Sequence, residues 1–110
     1  MYERDGWRVH KTEQRLPIPG KFVTQDFGNF ADLIAYSAME TVGLQACAIS
    51  GFAAHVSKIR GLATARLWCH EGSRRRIEVW GWSGRRFRCA TMIALADGAW
   101  SLIEREGEIA

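Results

Sequence analysis

The residues that could do chemistry in this chain are few, and their spacing suits little of it. His55 falls near Cys47 and Ser50, where an imidazole could in principle serve as a base, and Tyr36 could join them in lining a pocket. The simpler reading of His55 is a hydrogen-bonded core histidine. Cys69 and His70 are adjacent, so on an extended strand they point to opposite faces and suit no single metal. CxxC, HExxH, GxSxG and phosphate-loop patterns are absent. Gly81-Trp82-Ser83-Gly84 reads as a turn, with no helix after it to present free amides to a phosphate. Glu104, Glu106 and Glu108 alternate around Arg105 and read as a solvated strand end. The expectation is a chain leaning away from enzymatic function, with no catalytic residue, no metal ligand set and no cofactor.

Recognition chemistry is better supplied. Between Lys58 and Arg88 lie nine basic residues against two acids, Glu71 and Glu78, a local net charge of +7 in a chain whose formal net charge is +3. Trp68, Trp80 and Trp82 share that stretch with Arg66, Arg74, Arg75, Arg76, Arg85, Arg86 and Arg88. These ten residues form the candidate binding set. Arginines neutralise phosphates or carboxylates, and exposed tryptophans give flat surfaces for stacking. Their bland alternative is guanidinium stacked on tryptophan, worth about 0.5–1 kcal/mol per exposed pair.

The 110 residues, 47% hydrophobic and 25% charged, are expected to make one domain spanning 1–110 with a modest core. No apolar run approaches the roughly 18 residues of a membrane span. The polar start Met1-Tyr2-Glu3-Arg4-Asp5 lacks the pattern of a secretion signal. Three widely spaced cysteines, Cys47, Cys69 and Cys89, are poor material for a disulfide framework. A cytoplasmic protein is expected.

The elements that must position these side chains follow from periodicity. Residues 1–28 read as an extended segment: Asp5-Gly6 can turn, Trp7–Lys11 alternates weakly, and Leu16-Pro17-Ile18-Pro19-Gly20 excludes a helix. Lys21-Phe22-Val23 could pair with a sheet edge. Residues 29–60 read as helical. Asn29 caps a first helix, supported by Asp32, whose face is Phe30, Leu33, Ile34, Ser37, Ala38 and Thr41, with Gly43 as terminator. A second runs from Leu44 to Arg60, closed by Gly61. Residues 62–105 switch to a period of two and predict four strands: Leu62–Cys69, Arg75–Gly81, Arg85–Leu95 and Ala99–Glu104. The fold class is therefore α+β, two helices on one face of a four- or five-stranded antiparallel meander.

Turn lengths then set the register. A three-residue loop at Trp82-Ser83-Gly84 places Val79 opposite Phe87 and Ile77 opposite Cys89. A two-residue turn at Asp97-Gly98 places Ile93 opposite Leu102. Odd-numbered side chains from Ala65 to Leu95 would face the helices. Even-numbered ones would build an outer row of Arg66, Glu78 and Arg88 flanked by Trp68 and Trp80.

The leading functional expectation is a small non-enzymatic binding protein whose cationic, tryptophan-bearing sheet face engages an anionic macromolecule, nucleic acid or an acidic protein surface. A homodimeric adaptor or inhibitor with that face as its interface is the first alternative. Helices on a curved antiparallel sheet with a late Asp97-Gly98-Ala99-Trp100 hairpin resemble, in element order, the cystatin-like α+β roll. That resemblance implies the second alternative, a ligand or catalytic pocket near His55.

Overall fold

The computed structural model describes residues 8–11, 14–18, 21–25 and 30–109. Its order is β1 (Arg8–Lys11), β2 (Gln14–Ile18), β3 (Lys21–Gln25), β4 (Leu33–Tyr36), β5 (Thr41–Ala48), a 3₁₀ turn (Ile49–Gly51), α1 (Phe52–Arg60), α2 (Ala63–Trp68), β6 (Arg75–Ser83), β7 (Arg86–Ala94) and β8 (Trp100–Glu108). β2 and β3 form a separate antiparallel pair. The other strands make one six-stranded sheet in the order β1-β4-β5-β6-β7-β8. The α+β class with two helices and a mostly antiparallel sheet agrees with expectation, and six strands replace the expected four or five. One pair, β5–β6, is parallel. The expected meander, and the cystatin-like likeness built on it, therefore give way to a sheet with one crossover through α1 and α2.

Residues 30–48 depart most from their sequence reading. No helix spans 30–42. β4 and the first half of β5 form a hairpin instead, with Leu33 opposite Leu44 and Ala35 opposite Val42. Ser37 closes the turn: its Oγ accepts from the amides of Met39 and Glu40, and its own amide donates to Glu40 O. β5 is a central strand whose Val42, Gly43 and Leu44 are buried in succession. Burial on both faces erases alternation and leaves an apolar run that a helix pattern also fits. Gly43 is no helix terminator. A Cβ there would lie 3.2–3.3 Å from the Phe30 and Trp68 rings and the Ala31 methyl, so glycine is what lets them lie on the strand. The Asn29 cap and the Asp5-Gly6 turn lie outside the described residues.

Only the end of the second expected helix survives, as α1, whose Phe52, Val56 and Ile59 are buried against the sheet. Leu62–Cys69, expected as a strand, is helical from Ala63 to Trp68. Ala65 packs into the core, and the Trp68 ring meets Phe30 at 5.3 Å between centroids. Ala, Arg and Leu are strong helix formers, so propensity and packing agree here against the apparent alternation.

Both hairpins keep their place and exchange their loop lengths. Between β6 and β7 the loop is Gly84-Arg85, with Ser83 opposite Arg86 and Gly84 at φ +60. Between β7 and β8, the Leu95 amide donates to Ala99 O across a three-residue loop, Ala96-Asp97-Gly98. There Asp97 Oδ1 accepts from the Ala99 amide, and Gly98 holds φ +93. The shifted register pairs Ile77 with Met92, Val79 with Ala90 and Trp82 with Phe87.

One sheet face, under the helices, holds Ile77, Val79, Ala90, Met92 and Ala94 with Phe30, Phe52 and Ile59. The opposite face holds Ala35, Val42, Leu44, Trp80 and Cys89, with Leu33, Trp82 and Phe87 beside them. Ile77 and Val79 are enclosed, as expected. The even-numbered positions Glu78 and Trp80 are buried as well, at 4% and 7% exposure, so the sheet has no solvent-facing side at its centre.

Candidate interface on the aromatic sheet face

The shifted register sends the ten candidate residues to several places. Arg66 lies on α2 and donates to the carbonyls of Leu95, Gly98 and Ala99 while its guanidinium covers the Trp100 ring. Arg75 donates to Trp68 O and stacks over that ring at 5.6 Å. Arg88 faces the helix side. It lies 4.4 Å from the Phe52 ring centroid and reaches Glu104 Oε2 at 3.4 Å. Arg66, Glu78 and Arg88 therefore form no common row. Arg74, Arg85 and Arg86 are exposed.

Glu78 is the pivot of the opposite face. Its carboxylate accepts from Arg76 Nε at 3.1 Å and from Trp80 Nε1 at 3.0 Å, and Arg76 also bridges to Glu40. A carboxylate this enclosed needs such partners, because an uncompensated charge inside a protein costs several kcal/mol. The cluster fixes the Trp80 ring in place.

Two rows of side chains then cross the sheet. Ala46, Trp80, Cys89 and Arg105 are register neighbours on β5, β6, β7 and β8, and Ala48, Trp82, Phe87 and Gly107 make the next row. Trp80 and Trp82 lie nearly parallel, with centroids 5.7 Å apart and planes 12° apart. Phe87 tilts against both, at 5.4 and 5.7 Å. Arg105 covers Trp80 at 5.1 Å. Small residues make the space: Ala46 and Ala48 are exposed beside the indoles, and a Cβ at Gly107 would meet the Phe87 ring at 3.2 Å. Trp80 is enclosed, whereas Trp82 and Phe87 stay half-buried with an accessible flank. The structure thus brings Trp80 and Trp82 together, with Arg85 in the turn that follows them, and places Arg86 with Arg88 on the helix side and Trp68, Arg66 and Arg75 elsewhere.

Sequence reasoning missed Phe87, Arg105, Ala46 and Ala48. Their signal was the alternation Ala46-x-Ala48 and Arg105-x-Gly107, which has meaning only once each is read as a strand beside large rings.

A ring nitrogen of His55 contacts Gly51 O at 2.9 Å, reaching back from α1 to the residue that precedes it. Burial, and secondarily the Asp32 carboxylate, push the Cys47 thiol up from its ordinary range, which disfavours the thiolate. Cys69 and Cys89 are buried and also raised, chiefly by desolvation. Among the described residues no group of three His, Cys, Asp or Glu side chains is placed to hold a metal, and no helix is long and apolar enough to cross a membrane. No protein-family model, curated protein or solved structure matches the chain.

Proposed function

We propose that this protein is a non-enzymatic binding module that takes single-stranded nucleic acid on the aromatic face of its sheet. The observation that carries the reading is the half-open Trp82–Phe87 platform, flanked by exposed Ala46 and Ala48, with exposed Arg85 and Arg86 in the hairpin tip that closes its end. A base stacked on Trp82 gains about 1–3 kcal/mol, with little preference among bases. Arg85 and Arg86 at one end of β6 and Arg74 at the other are separated by its nine residues, about 30 Å, so phosphates of one extended strand would be neutralised on both sides of the platform.

The test is a titration of a fluorescent oligonucleotide over a range of salt concentrations. Affinity should fall with salt at a log–log slope of about −0.7 per neutralised phosphate, and removing Arg85 and Arg86 together should reduce that slope by about 1.4. Trp82→Ala should weaken binding by about tenfold or more at every salt concentration, with the slope unchanged. Binding indifferent to salt would overturn the proposal. So would equal competition by polyglutamate, which would assign the cationic border to acidic protein surfaces instead.

A further inference from the structure

The outer edge of β8 is nine residues long and lies at the end of the sheet order. From Leu102 to Glu108 its residues are exposed, including Ile103 at 66% and Leu102 at 37%. It contains no proline, and its register with β7 runs unbroken from Arg86–Glu108 to Ala94–Trp100. Edges of this length are ordinarily blunted, because their free amides and carbonyls template another strand. The direction of those groups follows from two bonds: Leu95 N to Ala99 O, and Ile109 N to Arg85 O. In an antiparallel ladder, hydrogen-bonded pairs alternate with open pairs. Odd-numbered residues of β8 therefore bond to β7, and Leu102, Glu104 and Glu106 turn both backbone groups outward.

We infer that this edge pairs with the same edge of a second copy of the chain, antiparallel, about a two-fold axis at Ile103. A two-fold normal to the sheet keeps each side chain on its own face, so only residues of the same parity can oppose one another. Centring on Glu104 or Arg105 sets a like charge directly against itself, which is destabilising. Centring on Ile103 sets Ile103 against Ile103, Arg105 against Ser101, Glu104 against Leu102 and Glu106 against Trp100. No like charges meet, and the outward-turned residues Leu102 and Glu104 fall at hydrogen-bonded positions. The two exposed isoleucines meet at the open pair, where side chains approach most closely. Glu104 is already met by Arg88 on its own chain, so it needs no partner from the second copy. The two aromatic platforms would then share one side of a twelve-stranded sheet, with their β6 strands about 24 Å apart.

Sedimentation of the full chain over a wide concentration range should show a monomer–dimer equilibrium. Ile103→Glu should shift it to monomer without lowering the unfolding midpoint of the monomer. A second experiment reads the register without requiring a tight dimer. In a Cys47→Ala background, Ile103→Cys should form an intermolecular disulfide under mild oxidation. Leu102→Cys and Glu104→Cys should do so at least tenfold more slowly, because each would sit diagonally from its own copy, beyond disulfide reach. A chain that stays monomeric at every concentration overturns the inference, as does a dimer that Ile103→Glu leaves intact or equal cross-linking at all three positions.

Discussion

Replacing Arg76 with methionine would leave the Glu78 carboxylate inside the aromatic face without its guanidinium. Glu78 is 4% exposed and keeps the Trp80 indole as a donor, but that dipole cannot neutralise a full charge. Two unit charges about 4 Å apart attract by about 4 kcal/mol at an effective dielectric near 20, and stripping one partner from a buried pair costs about 3–5 kcal/mol. The Arg76 side chain retains 22% exposure, so water can partly replace it, and the loss should fall near 3 kcal/mol. Against the 5–15 kcal/mol of a typical domain, that is a large fraction, worth roughly 10 °C or more in midpoint. Urea unfolding of four proteins decides it: wild type, Arg76→Met, Glu78→Gln and the double variant. The side-chain amide in Glu78→Gln would still accept from the indole while carrying no charge, so the double variant should recover about 2 kcal/mol over Arg76→Met. The Glu40 arm of the cluster is more exposed, and Glu40→Gln should cost under about 1 kcal/mol. An Arg76→Met cost below about 1 kcal/mol, or strictly additive single effects, would refute the account of Glu78 as the pivot.

Three further outcomes follow from local geometry. A Cβ at Gly81 would lie 3.1 Å from the Phe52 side chain and 3.2 Å from Ile49 Cα, so Gly81→Ala should push the start of α1 off the sheet. Calorimetry should show a loss of about 1–3 kcal/mol, and a neutral result would mean that this contact is slack. Arg74 holds φ 60, a left-handed conformation unfavourable for a side chain, so Arg74→Gly should stabilise by about 0.5–1 kcal/mol in urea while weakening nucleic-acid binding. Opposite signs in the two assays are the expected signature. Burial holds the Cys69 and Cys89 thiols above the ordinary 9.0, so above that pH the unfolded chain ionises first and binds fewer protons. The contribution of these two thiols to stability should therefore be constant below about pH 9 and be lost as pH rises beyond it. Cys69→Ala with Cys89→Ala should flatten that alkaline fall in urea midpoints, and an unchanged slope would refute it.

Fold class was legible because strand propensity and turn residues from Arg75 onward are strong: Ile77, Val79 and Phe87 alternate, and Gly84 and Gly98 mark both hairpins. Loop length was not legible, because Trp82-Ser83-Gly84-Arg85 and Ala96-Asp97-Gly98 each accommodate two- and three-residue loops. Choosing wrongly moves every partner on the next strand by an odd number, which carries side chains through the sheet to the other face. That is how Cys89 and Phe87 passed from the expected core beneath the helices to the aromatic face. β5 failed differently. Its Val42-Gly43-Leu44 core lies between two covered faces, and the alternation that announces a strand needs one face in water.

The concentration of charge from Lys58 to Arg88 now has a structural explanation as well as a functional one. With both faces of β6 buried at its centre, four of its nearby guanidiniums are drawn into local roles. Arg66 satisfies loop carbonyls, Arg75 satisfies the last turn of α2, Arg76 neutralises Glu78, and Arg88 covers Phe52. Such positions explain arginine in particular, since a planar fork on a long stem can donate to several carbonyls or lie flat on a ring where lysine cannot. They account for no exposed cation at the hairpin tip. Arg85 and Arg86 are exposed at the hairpin tip that follows Trp82, Arg86 on the face of Arg88, and Ala48 leaves the flank of that indole thinly covered. A sheet built only for stability would close that flank with a larger side chain at 48 and would have no use for adjacent like charges at its tip. Small residues, half-open rings and exposed charges coincide there, and recognition gives that coincidence a reason that packing does not.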